Sequence, residues 1–127
     1  MNKEVLMYDQ IKHKNQLIRW NREWKWNYPI DLLPTTGVII EEVAAIFLYE
    51  TNSNLCFVES FICNPEVKPE DRDELLDKLV DVLLHLAKEK GFTHMMGYTK
   101  HKKVADRSEK HGFMVGKDSY QAFYRSL

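Results

Sequence analysis

The 127-residue sequence has little of several things that define particular protein classes. It contains two cysteines, Cys56 and Cys63, and no Cys/His spacing typical of zinc ligation, which argues against a disulfide framework and a structural metal. No stretch approaches the roughly 18 uninterrupted apolar residues of a membrane span, and the N-terminus has no long apolar segment typical of a signal peptide. These absences predict a soluble, cytoplasmic protein without a metal.

The sequence also lacks an excess of charge of either sign. Its 18 basic residues are balanced by 19 acidic ones, for a net charge of −1. Since proteins that coat nucleic acids neutralise many phosphates, this balance argues against nucleic-acid binding, although the basic tract 100–110 keeps a small nucleic-acid-binding domain open as a third hypothesis. With 44% hydrophobic residues, the chain is expected to form one domain over residues 1–127.

Hydrophobic periodicity predicts three helices. The segment 9–25 has apolar residues at three- and four-residue steps and Asp9 as a candidate N-cap. A wide apolar stripe predicts a long helix that begins near Pro69 and stops at Gly91. A short helix is predicted from Lys100 to His111, ending at Gly112.

Runs of β-branched and aromatic residues predict the strands. Three runs separated by turn residues indicate an antiparallel meander, and a fourth follows the long helix. Two closing strands are expected after the short helix. The predicted strands are 37–40, 43–49, 55–62, 92–99, 113–116 and 120–124.

Three segments resemble a known family. The segment 57–66, FVESFICNPE, resembles a fourth strand with an Asp/Asn-Pro-Glu exit, and 87–92, AKEKGF, resembles the end of the helix that follows it. The segment 108–113, SEKHGF, resembles a common Tyr-Glu-Lys-Leu-Gly-Phe motif. In this order they resemble the GNAT superfamily of N-acetyltransferases, and in particular small GNAT-like proteins of bacteria and their phages.

The resemblance implies an α/β (α+β) GNAT-like fold, in which a mixed central sheet of about six strands is flanked by helices. Residues 1–36 would form an N-terminal helix and connecting loop, and residues 37–127 the GNAT core. The implied activity is acetyl transfer from acetyl-CoA to an amine carried by a small molecule or a protein.

The resemblance also implies a cofactor site. The pantetheine would pair with the strand edge at Phe61, Ile62 and Cys63, and the pyrophosphate would lie at the following helix N-terminus, near Lys68 and Arg72. The chain departs from the family here, because the loop 67–74 contains no glycine and carries four acidic residues. Those acids are equally explained as partners of the helix dipole.

Acetyl transfer needs a base for the ammonium and an acid for the departing thiolate. Glu59 occupies the position at which many family members have the catalytic base. The alternative interpretation is that Glu59 is an outward-facing polar residue on a strand with alternating apolar and polar side chains. Ser108 is at the position where the family usually has a Tyr that acts as the general acid, and a serine hydroxyl is a poor proton donor. His101 is a further candidate acid, with a solvated helix start as its alternative. Tyr98 and Tyr120 stay open as substitutes.

Other distinctive residues have ordinary structural interpretations. Cys63 is predicted to be a small buried hydrophobe rather than a nucleophile. Trp20 and Trp24 lie one helical turn apart and are predicted to pack in the core, whereas Trp26 lies beyond the helix.

Two functions of different classes therefore remain. The first is an acetyl-CoA-dependent N-acetyltransferase. The alternative is a catalytically inactive GNAT-fold interaction or assembly protein, favoured by the glycine-free acidic loop and by Ser108. The strand edge that would hold pantetheine is also suited to pairing with a second copy, so a homodimer stays open.

Overall fold

A computed structural model describes residues 3–26, 29–99, 101–116, 121, 123 and 125–127, except for the side chain of Ser60. Its helices are α1 (Gln10–Glu23), α2 (Pro69–Glu89) and α3 (Lys102–Lys110), and a short 3₁₀ turn covers Ile30–Leu32. Its strands are β1 (Leu6–Met7), β2 (Gly37–Ile40), β3 (Ala44–Tyr49), β4 (Leu55–Cys63) and β5 (His94–Met96).

The five strands form one mixed sheet in the order β1-β2-β3-β4-β5. The first four are antiparallel neighbours, and β5 is parallel to β4 because α2 carries the chain back across the sheet. The predicted mixed α/β class with flanking helices is confirmed. The additional strand β1 pairs with β2 and was not predicted, since its two residues are too few to show a period.

Each face of the sheet is covered by one long helix. On one face, Leu79 and Leu83 of α2 pack against Val38 and Ile46. On the other, Leu17 and Trp20 of α1 pack with sheet residues such as Phe47. The side chains of β2 and β3 are buried on both faces, which explains why these strands are almost entirely apolar.

The predicted helix ends agree with the structure. Asp9 caps α1, since its side chain accepts hydrogen bonds from the N–H groups of Ile11 and Lys12. After α2, Gly91 adopts a φ of +93°, and the Phe92 N–H donates to Ala87 O over 3.1 Å. This is a Schellman motif, and α3 ends in the same way at Gly112 and Phe113.

The predicted closing strands need correction. Residues 113–116 are irregular, and no backbone hydrogen bond described for residues 114–116 ties them to the sheet. The segment 120–124, their expected partner, lies largely outside the described residues. The strand predicted at 92–99 is shortened to His94–Met96, because the Schellman turn extends to Phe92 and the chain leaves β4 after Met96.

Candidate functional site

Strand β4 is paired on both sides at its start and has an open edge later. β5 accompanies the first three residues of β4 and ends at the pair Phe57↔Met96, whereas β4 continues beside β3 to Cys63. Gly97 lies where the two strands separate, and a Cβ there would be 2.9 Å from Val58 O. Within the described chain, residues 58–63 therefore have a strand neighbour on the β3 side alone.

A β-bulge interrupts β4 within this open stretch. Phe47 is opposite Glu59 and Ala45 is opposite Ile62, so β4 has one residue more than β3 between these pairs. The bulge reverses the alternation of side chains. Phe61 consequently packs toward α2, whereas Ile62 packs toward α1. Bulges are frequent next to active sites, where they redirect a strand.

The last backbone groups of the open edge belong to Cys63. The Asn64 N–H donates to Val43 O over 2.8 Å, which makes Cys63↔Ala44 the adjacent pair without mutual hydrogen bonds. The C=O and N–H of Cys63 therefore point away from β3, toward the open side. The Trp24 indole Nε1 donates to this carbonyl over 2.7 Å.

The exit from β4 is a fixed turn. Asn64 is 6% exposed, and its side-chain oxygen accepts from the Glu66 N–H over 3.0 Å. Its amide nitrogen donates to Glu42 O over 2.8 Å, and its carbonyl accepts from the Val67 N–H over 3.2 Å. The Asn-Pro-Glu segment thus sets the direction in which the chain enters α2.

The N-terminus of α2 has backbone donors without acceptors. The N–H groups of Asp71 and Arg72 bond to Lys68 O, and Pro69 has no N–H. Within the fully described segment 64–72, the N–H groups of Lys68 and Glu70 have no acceptor. Such donors, together with the helix dipole, suit an anion.

Charges of both signs surround this helix end. Lys68 is exposed as the N-cap of α2, and Arg72 Nη1 lies 3.4 Å from Val67 O. Arg107 Nη2 donates to Asp73 over 3.0 Å and offsets its charge. Three carboxylates stay exposed, with no ion pair in the described structure: Glu70, Asp71 and Glu74.

Glu59 lies in the open part of β4, on the face toward α1. Its cross-strand neighbour Phe47 packs in the same cluster as Trp20 of α1, and directly opposed residues share a face. The Glu59 carboxylate is exposed, and none of the described side chains pairs with it. It is therefore accessible to a solvent-borne acceptor.

The two candidate acids lie on α3. His101 is the N-cap of α3 and is exposed, and Ser108 lies two turns later, about 10 Å along the axis. The Ser108 hydroxyl donates to Val104 O over 2.8 Å. That bond holds its proton on the helix backbone.

Cys63 is a thiol in this environment. Burial raises its pKa to about 11, against the opposing charges of Arg72 and Arg107. Phe61 and Cys63 pack toward α2, and Ile62 is 2% exposed on the other face. The side chains of these three residues are therefore engaged in packing, and the edge offers a ligand the outward backbone groups of Cys63 rather than a reactive side chain.

An ion cluster ties α3 to α2. Asp77 accepts from Lys110 over 2.7 Å and lies 2.9 Å from His111, with Arg107 at 3.4 Å. The other ring nitrogen of His111 is 2.9 Å from Asp81. Burial acts to raise the pKa of Asp77, but hydrogen bonds from Lys110 and His111 and the charges of Lys110 and Arg107 outweigh it, so the pKa is lowered.

A stacked indole pair lies at the end of α1. Trp20 is fully buried, as predicted, but the prediction that Trp24 packs in the core is wrong: it is 36% exposed. Its ring stacks on that of Trp26 with centroids 5.2 Å apart and planes 10° apart. Trp20 is thus the last buried residue of α1, and the chain turns after Trp24.

That turn is a Schellman motif without glycine. The Lys25 N–H donates to Arg22 O and the Trp26 N–H to Asn21 O, both over 3.0 Å. Lys25 takes a φ of 60°, a conformation that costs a residue with a Cβ about 1 kcal/mol. Because the usual glycine is missing, this turn could not be predicted from the sequence.

The described cavities lie elsewhere. One of about 480 Å³ is bordered by Leu84, Phe92 and Met95, near the C-terminal end of α2. In the described part of the chain, no group of three or more His, Cys, Asp or Glu residues could hold a metal ion. No described helix has the length and apolarity needed to cross a membrane.

The mixed sheet, the open β4 edge and the crossover into α2 define a protein of the GNAT acetyltransferase fold class. No family model and no curated protein match the chain. Solved structures match it over nearly its whole length. Glucosamine-6-phosphate N-acetyltransferase from Arabidopsis thaliana is 10% identical, with a TM-score of 0.68 and coverage of 98% of this chain and 100% of that one.

Two further structures show the same fold. An aminoglycoside acetyltransferase from an uncultured soil metagenomic sample, solved with sisomicin, is 13% identical, with a TM-score of 0.61 and coverage of 98% and 95%. A transcriptional regulator from Bacillus halodurans is 12% identical, with a TM-score of 0.63 and coverage of 97% and 100%. The resemblance to the GNAT superfamily is thus confirmed at the level of the fold.

Proposed function

We propose that this protein is an acetyl-CoA-dependent N-acetyltransferase acting on an amine. The observation that carries the proposal is the open edge of β4, which is bulged at its centre and leads directly into the unsatisfied N-terminus of α2. The fold shared with acetyltransferases supports it. Fold alone does not determine activity, whereas the residues at this edge decide whether a cofactor can bind.

The edge and the helix end match the two parts of the cofactor. Pantetheine contains two amides, which suit the open edge at Phe61, Ile62 and Cys63 in the manner of an added strand, with the outward C=O and N–H of Cys63 as its backbone partners. The pyrophosphate would be held by the N–H groups of Lys68 and Glu70 and by the side chains of Lys68 and Arg72.

Glu59 is the proposed base. Acetyl-CoA, when bound, would supply an electrophilic thioester carbonyl carbon. Glu59 would take a proton from the acceptor's ammonium, so that the freed amine can form the new C–N bond while the C–S bond breaks. The thiolate leaves with the electron pair and needs a proton.

His101 is the stronger of the two proposed acids. The Ser108 proton is held by Val104 O, and a serine hydroxyl gives up its proton reluctantly. His101 is exposed at the start of α3, and histidine is the side chain that most often serves as a general acid or base. Replacing His101 and Ser108 by alanine, one at a time, distinguishes the two candidates, because acetyl transfer should slow only in the variant that lacks the general acid.

The direct test is calorimetric titration with acetyl-CoA, with coenzyme A and ATP as controls. Saturable micromolar binding of acetyl-CoA and of coenzyme A, and weak binding of ATP, is the expected result. Release of free coenzyme A is then followed with an amine panel. The panel includes an aminoglycoside, because one protein of this fold was solved with sisomicin.

Absence of binding at millimolar acetyl-CoA would overturn the transferase proposal. The inactive interaction or assembly protein would then be the surviving hypothesis. A double variant, Lys68→Ala with Arg72→Ala, sharpens a positive result, because it should weaken acetyl-CoA binding by about tenfold and leave the fold intact. Cofactor affinity equal to that of the wild type would place the pyrophosphate elsewhere.

Three expectations from the sequence complete the proposal. The protein forms one domain, which predicts a single cooperative unfolding transition. It acts in the cytoplasm, which cell fractionation tests. Its oligomeric state, monomer or homodimer, is measured by sedimentation, since the open β4 edge suits either a ligand or a second copy.

A further inference from the structure

The indole of Trp24 occupies part of the edge on which the cofactor would bind. Trp24 Nε1 is 2.7 Å from Cys63 O, an acceptor that points away from β3. Cys63 is the last residue of β4 before the turn at Asn64. An amide N–H running along this edge would approach the same carbonyl from the same side as the indole.

Neighbouring backbone groups of β4 are less accessible to a cofactor amide. Val58 faces Gly97, so its carbonyl is covered where β5 leaves. Ile62 is paired with Ala45 and directs its backbone toward β3. At the end of the strand, Cys63 O is thus an outward acceptor of the edge, and the indole is bonded to it.

Trp24 is free to exchange this partner. It is 36% exposed, and its ring packs on Trp26 rather than in the core. Its backbone is fixed by the glycine-free Schellman turn at Lys25, so the movement would be confined to the side chain. Backbone strain of this kind recurs where the geometry of neighbouring residues matters for function.

We propose that the Trp24 side chain regulates access to the cofactor edge. Its indole donates to Cys63 O in the free protein and is displaced from it when a pantetheine amide binds. This inference rests on the proposed acetyltransferase function. The indole keeps a strand edge from pairing with other chains while no cofactor is present, and the cofactor replaces one hydrogen bond by another.

The test compares acetyl-CoA affinity in three proteins by calorimetry. Trp24→Phe keeps an aromatic ring for stacking but removes the competing donor. It should bind acetyl-CoA about fivefold more tightly, the ratio that corresponds to one net hydrogen bond of about 1 kcal/mol. Trp26→Phe is the matched control, since its described ring contact is with Trp24, and it should bind within twofold of the wild type.

Tryptophan fluorescence provides a second readout. Coenzyme A should shift wild-type emission as Trp24 is released, whereas ADP, which lacks pantetheine, should not. Affinity in Trp24→Phe equal to or weaker than the wild type would overturn the inference, as would an equal shift with ADP. Failure of all three proteins to bind acetyl-CoA would instead overturn the proposed function.

Discussion

The two ends of the β4–α2 unit differ in how completely their polar groups are paired. At the closed end, β4 has strands on both sides, and the last carbonyls of α2 accept from the N–H groups of Gly91 and Phe92. At the open end, β4 has one described neighbour, and the N-terminus of α2 leaves two N–H groups without acceptors. The same two elements thus provide stability at one end and unused binding capacity at the other.

The largest effect is expected at Glu59, in the open part of β4. Glu59→Gln keeps the size and polarity of the side chain but cannot accept the ammonium proton. We expect kcat for acetyl transfer to fall about 100-fold while acetyl-CoA affinity stays unchanged. Glu50→Gln, at the closed end beside Lys90, is the matched control. Wild-type turnover in Glu59→Gln would remove Glu59 from the mechanism.

Gly97 marks the boundary between the two ends. A Cβ at this position would lie 2.9 Å from Val58 O and 3.1 Å from Val58 Cγ1, so Gly97→Ala forces the strands apart. We expect the free energy of unfolding to drop by about 1–3 kcal/mol in chemical denaturation, with weaker acetyl-CoA binding. Gly116→Ala has no atom within 4 Å and should be neutral. Equal stability of the two variants would contradict the close approach.

Asp77 tests the pairing between the middle of α2 and α3, and its dependence on pH. Asp77→Asn weakens the contacts to Lys110 and His111 and should cost about 1 kcal/mol near neutral pH. Because the folded-state pKa of Asp77 is lowered, its contribution is present above the unfolded pKa and is lost as the pH falls below about 4. Wild-type stability should therefore decrease more steeply there than that of Asp77→Asn. Parallel pH profiles would show that the pairing contributes nothing.

Local patterns predicted much of this architecture. The apolar stripe of α2, the Asp9 cap and the glycine stops are determined by neighbouring residues, and the structure confirms them. The bulge in β4 could not be predicted, because it depends on the register with β3. The Trp24 contact joins residues 39 positions apart and follows a turn at Lys25 that lacks the usual glycine.

The sequence also could not predict which acidic residues near the start of α2 form ion pairs. Asp73 and Asp77 belong to one run of acids with Glu70, Asp71 and Glu74. Only the position of α3 separates the paired from the unpaired members, since Arg107 reaches the first two. The site residues Glu59, Ser108, His101, Lys68 and Arg72 stay predictions, and their positions now define the experiments.

The smallest effect distinguishes two roles for the exposed acids at the open end. Glu70 and Asp71 lie in the first turn of α2, where a carboxylate stabilises the helix by about 0.3–1 kcal/mol. The same charges would repel a pyrophosphate bound at this helix end. Glu70→Gln with Asp71→Asn should therefore lower stability slightly and tighten acetyl-CoA binding about two- to threefold at low salt. Added salt should reduce this gain in affinity.

Glu89→Gln, at the opposite end of α2, is the control and should leave the acetyl-CoA affinity unchanged. Unchanged affinity in the double variant would mean that the bound pyrophosphate lies away from these acids.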